Sequence, residues 1–138
     1  MSAQKPQTFN PDNVHKPRPV YSHVATTPIS GPSKLITIAG QIGVHPRTGE
    51  VPSDFLAQVE LALENLRQCL IAAGATTRDI VRITHYIIDV GSNASDSFRK
   101  QYMDFIGDHR PPSSLIGVTA LADPRLLYEI EATAIIAE

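Results

Sequence analysis

The chain is 138 residues long and 42% of it is apolar, a size and composition that suit one domain around a single buried core. Its 12 basic and 14 acidic residues leave a formal net charge of −2, and no basic block among them would follow a phosphate backbone, so composition gives no reason to expect a nucleic acid partner. The longest apolar stretches, such as Ile83 to Val90, are interrupted by His85 and Asp89 and fall short of the roughly 20 residues that span a bilayer; with no charged, then apolar, N-terminal leader, a cytoplasmic protein is expected.

Pro6, Pro11, Pro17 and Pro19 punctuate a polar opening that is too poor in apolar residues to fold alone and too rich in proline for a helix, so residues 1–18 read as a flexible tail before a domain over 19–138. Tyr21 to Thr27 is β-tolerant and predicts a first strand, followed by a loop around Ile29. Leu35, Ile36 and Ile38 make a second short strand that should break at Gly40. His45-Pro46-Arg47-Thr48-Gly49-Glu50 is turn chemistry. Ser53 can cap a helix in which Leu56, Val59, Leu63, Leu66, Leu70 and Ala73 recur at three- and four-residue steps, with Gly74 to stop it. Cys69, between Leu66 and Leu70, fits a buried or half-buried apolar position better than a reactive thiol.

Ile80 to Val90 is rich in β-branched residues and predicts a strand buried on at least one face. A second helix follows, capped by Ser95 or Ser92, with Phe98, Tyr102, Phe105 and Ile106 on one side and Gly107 at its end. Ser114 to Leu121 and Leu126 to Ile136, separated by the Asp123-Pro124 turn, close the chain as strands. The order of elements predicts an α+β fold, with two helices on one face of a mixed sheet. Several strands carry apolar residues on both sides, so a homo-oligomer is expected to bury the second face.

In the last strand, the two-residue period places Leu127, Glu129, Glu131 and Thr133 on one face and Tyr128, Ile130, Ala132 and Ala134 on the other. Glu129 is the favoured catalytic residue, because a carboxylate in a half-dry cleft can hold a proton or a water. Glu131 reads as a solvated residue or one paired in a subunit contact. His15 and His109 look like tail and loop residues, and His85, sharing parity with Ile83 and Ile87, reads as a hydrogen-bonded core or interface histidine. His23 lies next to Tyr21 on the early strand. The histidine spacing offers no metal-ligand signature, and no phosphate loop, dinucleotide fingerprint or G-x-S-x-G elbow is present, so neither metal nor cofactor is predicted.

Taken in order, Tyr21-Ser22-His23, Ala39-Gly40-Gln41-Ile42, Pro46 to Glu50, Glu64-Asn65-Leu66, Ala72-Ala73-Gly74, Asp79 to Asp89, Tyr102 with Phe105, Pro111-Pro112 and Glu129-Ile130-Glu131-Ala132 resemble the reactive intermediate deaminase (Rid, or YjgF) family. The resemblance implies a chorismate-mutase-like α+β fold and a homotrimer with clefts between subunits. It also implies a small-molecule substrate, since well-studied members hydrolyse enamines and imines to a keto acid and ammonia. By the same resemblance Tyr21 matches a cleft tyrosine and Glu129 a water-holding glutamate, while Ala39, Gly40, Ser113 and Ser114 fall at substrate-binding positions. The family's carboxylate-binding arginine is replaced by Ser113, and the serine often found before Gly40 by Ala39. A hydroxyl cannot reproduce a guanidinium's charge or its planar fork. Arg99 on the second helix could supply charge from another direction, and His23 adds a titratable group. The expected function is hydrolysis of, or proton transfer on, a non-standard enamine, imine or related carbonyl compound. The alternatives are an isomerase or cyclase step, a trimer that binds a metabolite without transforming it, and, with less support, a ribonuclease.

Overall fold

The computed structural model describes residues 6–10, 19–20, 22, 24–26, 29 and 31–137. Gln7–Phe9 (β1) and Val24–Thr26 (β2) pair antiparallel, so a short strand stands inside the stretch read from its prolines as tail. The main sheet holds Ser33–Ile42 (β3), Ile80–Ile88 (β4), Ser113–Val118 (β5) and Tyr128–Ala137 (β6) in the order β3-β6-β4-β5. β6 runs antiparallel to both its neighbours, and β4 and β5 are parallel, which makes the sheet mixed as the order of elements predicted.

β3 corrects one expectation, for it does not break at Gly40. The ladder to β6 shifts register between Ile38 and Gln41 and resumes with Gln41 opposite Ile130. A bulge absorbs the extra residue where a side-chain-free position costs least.

The first helix, Phe55–Ala72 (α1), starts one residue later than Ser53 would place it. Its cap is Asp54, whose carboxylate accepts from the Ala57 N–H at 3.0 Å. Beyond its last turn, Gly74 takes a φ of +79° that a side chain would strain. β4 ends at Ile88 instead of running to Val90, because Asp89 turns left-handed (φ 52°) into a single helical turn, Val90–Asn93 (α2). Ser95 caps the next helix, Asp96–Ile106 (α3), accepting from the Phe98 N–H at 3.2 Å.

α1 and α3 lie on one face of the sheet. Val59, Leu66 and Leu70 from α1, with Phe98, Tyr102 and Ile106 from α3, pack on Ile83, Ile87, Tyr128 and Ile130. Each such side chain, removed from water, contributes about 1.5–3 kcal/mol. One polar group sits inside this layer. Gln58 is fully buried and wholly satisfied: Nε2 donates to the Pro52 and Arg125 carbonyls at 2.8 and 2.9 Å, and Oε1 accepts from the Leu127 N–H at 2.8 Å. It ties α1 to the chain entering β6. Gly43 admits the helix here, since a Cβ on it would lie 2.5 Å from the Gln58 Cα. Among the described residues no helix covers the opposite face of the sheet, where Leu35 is 65% and Ile116 43% exposed. Among the described residues no helix is long and apolar enough to cross a membrane.

Candidate functional site

The alternation along β6 is as predicted. Tyr128, Ile130, Ala132 and Ala134 are buried under the helices, while Glu129, Glu131 and Thr133 are half-buried on the open face. Glu129 lies against Gly40 of the β3 bulge so closely that a Cβ there would fall 2.5 Å from its Cδ and 2.7 Å from its Oε2. Burial first, and the charge of Glu131 second, raise the Glu129 carboxyl above its ordinary pKa. No described residue donates a hydrogen bond to it. Directly across the ladder stands Tyr86, whose hydroxyl donates to Glu131 Oε1 at 2.7 Å. That hydrogen bond, ahead of burial, raises the Tyr86 phenol.

The other face, at the β5 edge, holds a cleft of about 460 Å³ whose walls include His85, Phe98, Arg99, Tyr102, Ser113 and Leu115. Ser113 pairs with buried Ile83, which places it on the helix side of the sheet. Arg99 reaches the cleft from α3, and its ion pair is to Asp96 at 3.0 Å, a residue wholly in solvent. Such exposed pairs are worth little, and a bound anion can compete for the guanidinium. His85 Nδ1 shares a 2.7 Å hydrogen bond with the Tyr128 hydroxyl, and burial lowers its pKa to about 3, so the ring is neutral. Tyr102 stands edge-on to His85 with ring centroids 4.7 Å apart. Among the described residues its buried hydroxyl has no hydrogen-bond partner, and burial pushes its pKa up.

The structure therefore sorts the residues singled out in the sequence into two groups. Glu129 and Gly40 meet on the open face, with Ala39 exposed beside them in the bulge. Arg99 and Ser113 meet in the cleft. Ser114, also at the cleft's edge, turns its hydroxyl to the open face, where it accepts from Arg82 at 2.6 Å. Tyr21 and His23 lie outside the described residues. His85 is the core histidine expected, but it also forms the cleft floor. His109, expected as a loop residue, is in a loop yet buried, its Nε2 bonded to the Ile80 carbonyl at 2.8 Å.

Tyr86 and Tyr102 went unnoticed as site residues in the sequence. Two-residue parity from His85 would have put Tyr86 on the carboxylate face, but only the register shows it opposite Glu129.

The family model for endoribonuclease L-PSP matches residues 13–136. The 2-iminobutanoate/2-iminopropanoate deaminase of Escherichia coli (strain K12) is 36% identical over 104 residues, covering 73% of this chain and 79% of that protein. A RutC family protein of Pyrococcus horikoshii, PH0854, is 32% identical over 124 residues, 89% of this chain and 92% of its own. Among solved structures, YyfB of Yersinia pestis, from the conserved Rid protein family, has a TM-score of 0.83 at 36% identity over 94% of this chain and 98% of that one. TdcF of Escherichia coli with bound serine has a TM-score of 0.66 at 35% identity, over 73% of this chain and 80% of that one.

Proposed function

Because the chain belongs to the endoribonuclease L-PSP family, the group that includes the Rid and YjgF proteins, we propose that it hydrolyses a small imine or enamine at a site built from two copies of itself. The observation that carries this reading is the split of the candidate residues. Glu129 faces the open side of the sheet, and Ser113 and Arg99 face the helix side at the β5 edge. One sheet separates them, so a single chain cannot present both to one small molecule. A second copy that laid its open face beside the β5 edge would bring the two halves together and cover Leu35 and Ile116, which supports a homotrimer with clefts between subunits.

In the reaction, water adds to the imine carbon as Glu129, ionised, takes one of its protons and passes it to the nitrogen; from the carbinolamine so formed the same carboxylate moves the hydroxyl proton to the amino group, and the C–N bond breaks to leave a carbonyl and ammonia. Burial supports this role by raising the carboxyl's affinity for the proton it carries. Ser113 removes fixed charge from the expected place, so the substrate is one whose anionic group, where it has one, pairs with Arg99 on α3.

The absence of charge at Ser113 also suits a trimer that holds a metabolite unchanged. The test is a panel of semicarbazide-competed imines made from charged and neutral amino acids, with wild type and Glu129→Gln. Turnover that falls at least a hundredfold in the variant supports hydrolysis. Equal turnover in both, or recovery of every ligand unchanged, sinks it.

A further inference from the structure

The open face carries a second carboxylate whose place the hydrolytic reading does not use. Glu131 lies two residues beyond Glu129 on the same side of β6, so the two side chains start roughly 7 Å apart. Tyr86 is the cross-strand neighbour of Glu129, yet its hydroxyl crosses diagonally to Glu131 at 2.7 Å. Among the described residues, the groups that face Glu129 are few. β3 offers the apolar Ile42, opposite Glu129 in the ladder, and the bare backbone of Gly40, β4 offers Tyr86 and, further along, Arg82, and β6 offers Glu131. Arg82 is directed to Ser114 Oγ at 2.6 Å. Among the described residues, then, Glu131 has a donor and Glu129 has none.

We infer that Tyr86 and Glu131 are positioning residues for Glu129: Tyr86 pins Glu131 beside it, and the pinned carboxylate decides which of the two holds the proton. Two carboxylates this close disfavour ionising together, and the one given a hydrogen-bond donor is the one better able to hold the charge. The carboxylate that lies over Gly40 is thereby left the stronger base of the two, at the position where the proposed reaction takes a proton from water. The inference rests on that reading for its purpose, but the pairing itself can be measured without any substrate.

The experiment is a carbon-13 NMR titration of side-chain-labelled glutamates in the full chain, comparing wild type, Glu131→Gln and Tyr86→Phe, with Glu129→Gln to assign the resonance. Both test variants are close to isosteric, and unchanged urea midpoints at neutral pH exclude a folding defect. The Glu129 midpoint is expected to fall by roughly half to one pH unit in Glu131→Gln, and to fall by less in Tyr86→Phe, where the proton becomes shared. On any imine the wild type turns over, the acidic limb of the pH–rate profile, set by the ionisation of Glu129, should move to lower pH by the same amount. A Glu129 midpoint that stays put in both variants overturns the inference, whatever the activity. A midpoint that moves in a protein whose turnover survives Glu129→Gln upholds the pairing and removes the hydrolytic reading instead.

Discussion

Replacing Gly40 with alanine perturbs Glu129 without touching its chemistry. The new Cβ would stand 2.5 Å from Glu129 Cδ, 2.7 Å from Oε2 and 2.8 Å from Cγ. Carbon atoms in contact prefer about 3.5–4.0 Å, so the carboxylate must withdraw by about 1 Å. Gly40 is not among the glycines with positive φ, so alanine adds no backbone strain there. The side chain that must move is half-buried and flexible, which keeps the stability cost below about 1.5 kcal/mol. A reacting group displaced by 1 Å can lose about a hundredfold in rate, and that is the fall expected in kcat for imine hydrolysis. The assay is semicarbazide competition for the nascent imine, with urea unfolding on the same preparations. On a Glu129→Gln background the alanine should add almost nothing, because both changes act on one carboxyl. Wild-type turnover in a folded Gly40→Ala protein would refute the placement of Glu129 as the working group, and a full hundredfold loss added to Glu129→Gln would show that Gly40 acts on something else.

Two further outcomes concern the scaffold behind the cleft. His85 stays neutral in the fold with a pKa of about 3 against its ordinary 6.5; below the ordinary value the unfolded chain binds a proton that the native one refuses. Its contribution is therefore intact above that value and is lost as pH falls towards the folded pKa, amounting to about 2 kcal/mol between pH 7 and pH 5. His109 is lowered in the same direction, so the check is the difference between wild type and His85→Gln in urea unfolding at the two pH values, and equal pH dependence would contradict a neutral buried ring. Gln58→Leu should destabilise the fold by roughly 3 kcal/mol, because the Leu127 N–H and the Pro52 and Arg125 carbonyls lose their buried partner. A thermal midpoint within a degree or two of wild type would show that water replaces the amide.

What could be read from the sequence followed the range of the interaction responsible. The helices were legible because their spacing is local: Val59, Leu63, Leu66 and Leu70 on α1, and Phe98, Tyr102 and Ile106 on α3, are all buried as the three- and four-residue steps required. Glu129 was legible for the same reason in the other period, since alternation along one strand needs no partner to assign a face. The errors came where a partner decides. Gly40 looks like a break when judged by its own propensity, but β6 holds the strand through it, with Ile38 opposite Ala132 before the bulge and Gln41 opposite Ile130 after it. Ser53 and Asp54 are both competent caps, and the choice falls to Asp54 because the helix must begin at Phe55 for that ring to reach Phe98 and Tyr128. The company of Glu129 was out of reach in the same way: Tyr86 is 43 residues from it in the chain and adjacent only through register. His109 shows the converse, a residue in a loop whose side chain is drawn inward by the Ile80 carbonyl. Sequence periodicity assigns a residue its side of an element, while the pairing of elements supplies its neighbours, and it is the neighbours, Gly40 and the Tyr86–Glu131 pair, that would turn an oddly placed glutamate into a working acid.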